Sequence, residues 1–354
     1  MQSGLDGVVA AETILCLTDS ARGMIWVRGV PLPTLLANHG FEGTVALLWE
    51  GFAEDGLTRA GIAAAFGAAR TAAFADLERW LPLARSASLF EGLRLGLAAQ
   101  PDSSKPADLV GAMTVAVAAL LRSQRGLPPV APDPVLSTAA DLLRMFHGVP
   151  APASAVDALD TYFTAMVESG LSASSFTARV VASTRASLAS AVLGAWGAFT
   201  GALHGGAPGP TLDMLDAAEA APNLDAWLEA KLRAGDRLMG FGHRVYSGND
   251  PRAEAMRASM RRMGQLAKRL DFATRVETAV AAAIERVKPG RELPPNVEIM
   301  AALLLNAVGF PRDGFTPVFA ACRVAGWLAH AMEQQKTGRM IRPTSAYVGP
   351  PVGG

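Results

Sequence analysis

Two of the five histidines of this 354-residue chain lie in stretches with several glycines that read as loops or helix ends, His204 in "LHGGAPGP" and His243 in "MGFGHRVYSGNDPR". Glycine lets a backbone approach a ligand closely or turn sharply around it, and histidine is the side chain whose ordinary pKa serves proton chemistry near neutrality. Each imidazole, taken alone, reads equally as a site residue or as a satisfied structural histidine. Glu298, in "LPPNVEIMAALLL", opens an apolar helix; on its own it reads first as a carboxylate favourable to the helix dipole. Arg323, in "FAACRVAGWLAH", is harder to set aside, because a charge within a long apolar helix is costly unless an anion meets it. "GRMIRPTSAY" adds Arg339 and Arg342, which a solvated tail would explain.

Two imidazoles, one carboxylate and several arginines suit one chemistry in particular. The carboxylate removes a proton alpha to a thioester carbonyl, and an imidazole hydrogen-bonds the enol oxygen. The other imidazole polarises the carbonyl under attack. Arginines clamp the carboxylates of an acidic acceptor, since their planar forks match carboxylate geometry. Other signatures are missing: there is no G-x-S-x-G elbow and no phosphate-binding P-loop, and "GFGHRV" lacks the third glycine and the preceding strand of a dinucleotide fingerprint.

Composition narrows the classes. Half the residues are apolar, and 32 basic residues balance 32 acidic ones, so no nucleic-acid partner is expected. The two cysteines, Cys16 and Cys322, are too few for a disulfide framework or a cysteine metal site and read as buried packing. No metal and no permanently bound cofactor are expected. "MQSGLDGVVAAETILC" lacks the basic start and continuous apolar core of a secretory leader. The longest apolar run, "LASAVLGAWGAFTGAL", falls about a turn short of a bilayer span, so a cytoplasmic protein without a membrane partner is expected.

These residues need elements to hold them. "VVAAETILCLTD" and "GMIWVRGVPL" read as short strands or a hairpin. From "TVALLWEGF" onward the pattern is helical. "PADLVGAMTVAVAALLRSQRG" starts with Pro and Asp in its first turn and stops at Arg and Gly. "SSFTARVVASTRASLASAVLGAWGAF" places Phe176, Val180, Leu188, Val192, Trp196 and Phe199 on one apolar face. Pro/Gly-rich breaks fall at 126–134, 148–152, 204–210 and 289–295, and the more charged stretch between the last two reads as a smaller domain inserted in a larger one. Strand and helix do not alternate regularly, which argues against a Rossmann arrangement.

The chain resembles the citrate synthase family, bacterial short type, along nearly its whole length. The stretches that carry the resemblance are "GLDGVVAAET", "SSFTARVVAST", "LHGGA", "GFGHRVYSGNDPRA", "PPNVE", "FTPVFAACRVAGWLAH" and "IRP…YVGP", in that order. The resemblance implies an all-α, two-domain fold with a short N-terminal β-hairpin. Residues 1–205 and 310–354 would form the large domain, with the dimer contact and acceptor site, and 206–309 the small domain that binds CoA and closes. It implies a homodimer with a shared active site that condenses acetyl-CoA, or another acyl-CoA, with oxaloacetate or a related 2-oxo acid and then hydrolyses the thioester. His204 would steady the enol, His243 would polarise the keto group and Glu298 would be the base. Arg252 and Arg323 would hold acceptor carboxylates, Arg342 would reach in from the partner subunit, and Gly240, Phe241 and Gly242 would line the CoA adenine.

Four positions, in three stretches, depart from the family pattern. "PNVE" replaces "PNVD", so the base is a glutamate, one methylene longer. In "ESGLSASSF", Ser169 stands where the family has an acceptor-binding histidine and Ser172 where it has asparagine. Ser247 stands where a basic residue often lies near the CoA phosphates; the basic face of "PRAEAMRASMRRMGQLAKR" would substitute, or is simply solvated. Three readings follow: a condensing acyltransferase of the citrate synthase type; the same chemistry with another donor or acceptor, as in 2-methylcitrate synthases using propionyl-CoA; and a catalytically weak paralogue that binds CoA or organic acids.

Overall fold

In the computed structural model the residues described are 5, 7–19, 22–201, 204–206, 208–242, 250–264 and 266–350. Near the N-terminus, β1 (Cys16–Asp19) pairs antiparallel with β2 (Met24–Val27), Cys16 opposite Val27 and Asp19 opposite Met24. A third strand, β3 (Val30–Pro31), adds to β2, so the expected hairpin is a three-stranded sheet in the order β1-β2-β3. Ile25 and Val27 face inward while Leu17 is exposed, the alternation of a half-buried sheet.

Helices follow for the rest of the chain: α1 (Leu32–Asn38), α2 (Gly40–Trp49), α3 (Arg59–Ala75), α4 (Leu77–Trp80), α5 (Leu89–Ala98), α6 (Pro106–Gln124), α7 (Thr138–His147) and α8 (Ala153–Met166). After these come α9 (Ala173–Ser183), α10 (Leu188–Phe199), α11 (Pro208–Ala220), α12 (Leu224–Ala234), α13 (Pro251–Arg262), α14 (Ala267–Val287), α15 (Val297–Ala307) and α16 (Phe315–Thr337). The end of "GMIWVRGVPL", read as strand, already belongs to α1, where Pro33 sits in the first turn and costs no hydrogen bond.

The centre is α6. By length and composition it could cross a membrane, but here it is packed among α3, α5, α7 and α16. Its Gly111 allows the closest contact: a Cβ there would stand 2.6 Å from the Ala69 carbonyl carbon of α3. α16, buried from Phe315 to Gln334, runs against α6, α8, α9 and α10 and brings Arg323 inside.

One expectation fails in the middle of the chain. The stretch read as one continuous apolar face breaks at 184–187, where Arg185 takes a φ of 64° and Ser187 caps α10 by accepting the Ser190 N–H at 3.1 Å. The inward face of α9 is Ser174, Ser175, Ala178, Arg179 and Ala182, while Phe176 and Val180 are only half-buried. Arg179 can remain inside because Glu333, His330 and Gln334 receive its guanidinium N–H groups.

Within 206–309, α11 packs on α15, α12 on α14 and α13 on α15; α13 and α15 also rest on α8. Buried apolar side chains from this segment and from the rest of the chain join one continuous cluster.

Candidate active site

His204 lies just before α11, against the start of α9 and the middle of α16. The backbone N–H of Ser174 donates to its Nε2 at 3.3 Å, and the Ser174 hydroxyl lies 2.8 Å from the same nitrogen. A backbone N–H can only donate, so Nε2 is the acceptor and the ring proton belongs on Nδ1. The Trp327 indole N–H donates to Ser174 Oγ at 3.0 Å, which directs the serine proton toward the imidazole. Phe199 packs edge-on to the ring, with centroids 5.1 Å apart. Burial, reinforced by the Arg323 charge, pushes the His204 pKa down to about 4. At neutral pH this is an uncharged imidazole, preset to donate a hydrogen bond from Nδ1.

Arg323 is buried on α16, with its guanidinium 5.0 Å from the Phe319 ring centroid. Nη1 donates to Ser169 Oγ at 3.0 Å, whereas Nε is buried without a partner. Among the described residues no carboxylate lies at ion-pair distance from it. The neighbouring Glu168 is turned to other donors: Gly170 N–H at 2.6 Å and His330 Nε2 at 3.1 Å. His330 in turn accepts from Arg179 Nε at 2.9 Å through Nδ1, which makes Nε2 the protonated nitrogen. Burial raises the Glu168 pKa, but the His330 and Gly170 hydrogen bonds and the positive charges nearby outweigh it and hold the carboxyl below its ordinary range.

Glu298 is in the first turn of α15. The helix starts there because the Asn296 side chain caps it, accepting the Glu298 N–H at 3.0 Å. Glu298 Oε2 is buried and unpartnered. Burial raises its pKa to about 7, aided by Asp250 and opposed by Arg252 and Arg323. These competing influences bring the carboxyl from its ordinary acidic range up to neutrality.

The glycines before His243 serve the fold as well as any ligand. Gly240 and Gly242 both have φ of 82°, and a Cβ on Gly240 would lie 2.6 Å from Ile299 Cγ1 and 2.8 Å from Thr211 Cγ2. The segment zips onto the loop before α15: Gly242 N–H donates to Pro294 O at 2.8 Å and Asn296 N–H to Gly240 O at 2.9 Å. Asn296 Nδ2 adds a bond to Gly242 O at 3.0 Å, and the Phe241 side chain is buried. Much of the backbone expected to line an adenine is therefore engaged within the chain.

Arg252, at the start of α13, is buried and held by Asp250 through Nε at 3.0 Å and Nη2 at 2.6 Å; the same aspartate caps the helix. Electrostatic influence links Arg252 and Arg323 to Glu298, and Arg323 to His204, so these four sequence-derived residues, with Ser169, are brought together. Arg342 is not among them: it stands exposed on the tail after α16. His243 and Ser247 lie outside the described residues. Most of the basic face of α13 is ion-paired, Arg257 with Glu277 and Arg262 with Asp157, while Arg261 is exposed at a cavity of about 300 Å³ beside Asp250 and Asn296. Among the described residues no group of His, Cys, Asp and Glu converges as a metal site.

A family model described as citrate synthase, C-terminal domain, matches residues 4–344. The chain belongs to the citrate synthase family. It is 32% identical to the 2-methylcitrate synthase of Mycobacterium tuberculosis over 99% of this chain and 91% of that protein. Among solved structures, citrate synthase from Thermotoga maritima superposes with a TM-score of 0.87 at 29% identity, covering 99% of this chain and 96% of that one. The fold is also that of the Thermoplasma acidophilum citrate synthase solved in a ternary complex with carboxymethyl coenzyme A and oxaloacetate, with a TM-score of 0.85 at 23% identity, covering 100% and 98%. As a member of this family the protein is a citrate synthase-type acyltransferase that joins an acyl-CoA to a 2-oxo acid.

Several residues of this citrate synthase-type site carry little or no signal in the sequence. Asn296 and Asp250 prove to be the caps of α15 and α13, a role their place just before each helix only weakly signals. Ser174, Trp327 and the pair Glu168–His330 look like ordinary small, apolar or core positions, and only their hydrogen bonds reveal them.

Proposed function

We propose that the protein condenses acetyl-CoA with oxaloacetate, or a closely related 2-oxo dicarboxylic acid, and releases CoA by hydrolysis of the thioester. Glu298 takes a proton from the acetyl methyl carbon, and a pKa of about 7 suits a general base at neutral pH. His204, neutral and protonated on Nδ1, donates to the thioester oxygen as the enol forms. The enol carbon attacks the keto carbon of the acceptor, whose oxygen takes up a proton; His243 is the group the family resemblance assigns to it. Arg252 and Arg323 hold the acceptor carboxylates. Water then cleaves the thioester, leaving the hydroxy tricarboxylic acid and free CoA.

The observation that carries this reading is an imidazole fixed as donor and a buried base, both within the electrostatic reach of Arg323. That guanidinium is buried with one hydroxyl partner and no pairing carboxylate among the described residues. A buried cation in that state is best satisfied by an anionic ligand. The same observation weighs against a non-catalytic paralogue. The kinship with a 2-methylcitrate synthase keeps propionyl-CoA as the alternative donor.

We further infer a homodimer whose small domain, 206–309, closes over acyl-CoA at Gly240–Gly242. The tail after α16 extends with Met340, Tyr347 and Val348 exposed, as befits a segment that covers a second copy and carries Arg342 to its site. The test is thiol release from acetyl-CoA and propionyl-CoA against a panel of 2-oxo acids, with product identification. Release with acetyl-CoA and oxaloacetate, yielding citrate, is expected; no release with any pair would contradict the reading.

A further inference from the structure

Tyr162, on α8, is fully buried, and its hydroxyl has no hydrogen-bond partner. That is unusual for a phenol, because a buried polar group left unpaired is destabilising and nearly all such groups find partners. Its surroundings are those of the active site: Glu298, Arg252 and Arg323 all act on it electrostatically. Its ring meets Phe319 edge-on, with centroids 6.2 Å apart, and Phe319 is the ring beneath the Arg323 guanidinium. α8 then runs on into Glu168 and Ser169. Burial raises the phenol's pKa well above its ordinary value, so the group is a donor at any working pH.

Arg323 Nε, Glu298 Oε2 and Glu168 Oε2 are likewise buried without a partner. Arg323 acts electrostatically on Tyr162, Glu298 and Glu168 alike, and unpaired groups linked in this way indicate a site completed by its ligand. Glu298 is the base and Arg323 binds a carboxylate, which leaves the tyrosine hydroxyl without an assigned role.

We propose that Tyr162 is a specificity-determining residue whose hydroxyl donates a hydrogen bond to the acidic acceptor. It would supply from α8 the neutral grip that position 169 no longer provides with a serine. The ligand class is a 2-oxo dicarboxylate, whose oxygens can accept from the phenol and from Arg323 together. This rests on the assignment of Arg323 to the acceptor carboxylate.

The test is Tyr162→Phe, which keeps the ring and removes only the hydroxyl. A purely structural tyrosine and a ligand-binding one behave differently here. In the ligand-free protein the variant should melt at the same temperature as the wild type or above it, since an unpaired donor is removed. The KM for oxaloacetate should nevertheless rise about 10- to 100-fold, while the KM for acetyl-CoA changes less than about threefold. The thermal stabilisation given by oxaloacetate should shrink in parallel. An unchanged oxaloacetate KM overturns the proposal, as does an equal rise in both KM values or a lower melting temperature in the free protein. If the wild type turns over no acceptor at all, the functional reading itself fails, which is a different result from an active wild type with an indifferent Tyr162→Phe.

Discussion

Asn296 joins Gly242 to the start of α15: its Nδ2 donates to the Gly242 carbonyl at 3.0 Å while its Oδ1 accepts the Glu298 N–H at 3.0 Å. One side chain thus sets both the glycine segment before His243 and the helix turn that holds the base. Asn296→Ala should cost about 1–2 kcal/mol of stability through the lost cap and lower kcat/KM by about tenfold or more through the misplaced carboxylate. Asn296→Asp keeps the capping oxygen but loses the donor to Gly242, so it should recover stability more than activity. Urea unfolding and steady-state kinetics on the two variants check this.

Glu298 links activity and stability with opposite signs. Its pKa rises from an ordinary 4.5 to about 7 in the folded protein. The folded state therefore binds the proton more tightly than the unfolded state, and this contribution is full below pH 4.5 and lost as pH rises through about 7. Glu298→Gln should be inactive yet more stable than wild type at pH 8, by about 3 kcal/mol, with the difference fading near pH 5. Wild-type kcat/KM should climb with pH through about 7. Unfolding curves at pH 5 and pH 8 decide it, and an equal difference at both would count against the burial of this carboxylate.

What the sequence reveals of the site depends on how local each cause is. Arg323 stands out because a charge in an apolar helix has few innocent explanations, and the structure places it where an anion is needed. The break between α9 and α10 is hidden because Phe176, Val180 and Leu188 keep helical spacing across it; the capping serine Ser187 was the one local signal. Ser174 and Trp327 could not be read, since their roles come from the meeting of α9, α16 and the turn at His204, far apart in the chain. Tyr162 has the same difficulty: nothing in the sequence of α8 separates it from the core aromatics beside it.

The contact from Trp327 through Ser174 to His204 should matter to the chemical step more than to binding. Ser174→Ala removes the hydroxyl that reaches Nε2 and should lower kcat about tenfold or more, with little change in either KM. Trp327→Phe leaves the serine proton free to turn elsewhere and should have a smaller effect of the same kind. Nitrogen NMR of the His204 ring gives an independent reading: protonated Nδ1 and bare Nε2 are expected from pH 6 to 8, since burial holds the pKa near 4.

The shared site is tested by complementation. An Arg342→Ala chain and a His204→Ala chain should each be impaired alone, and the mixed heterodimer should regain one intact site. Lack of recovery despite verified heterodimers would count against a site shared between subunits.

The most direct measurement is exchange of the acetyl-CoA methyl protons with deuterated water, followed by NMR, in the wild type and in Glu298→Gln. The wild type should exchange, and Glu298→Gln should fold and bind CoA yet exchange at least about 100-fold more slowly. Glu298→Asp should retain exchange, because it differs by one methylene and keeps the carboxylate. Exchange in Glu298→Gln at the wild-type rate would show that Glu298 is not the base and would contradict the mechanism.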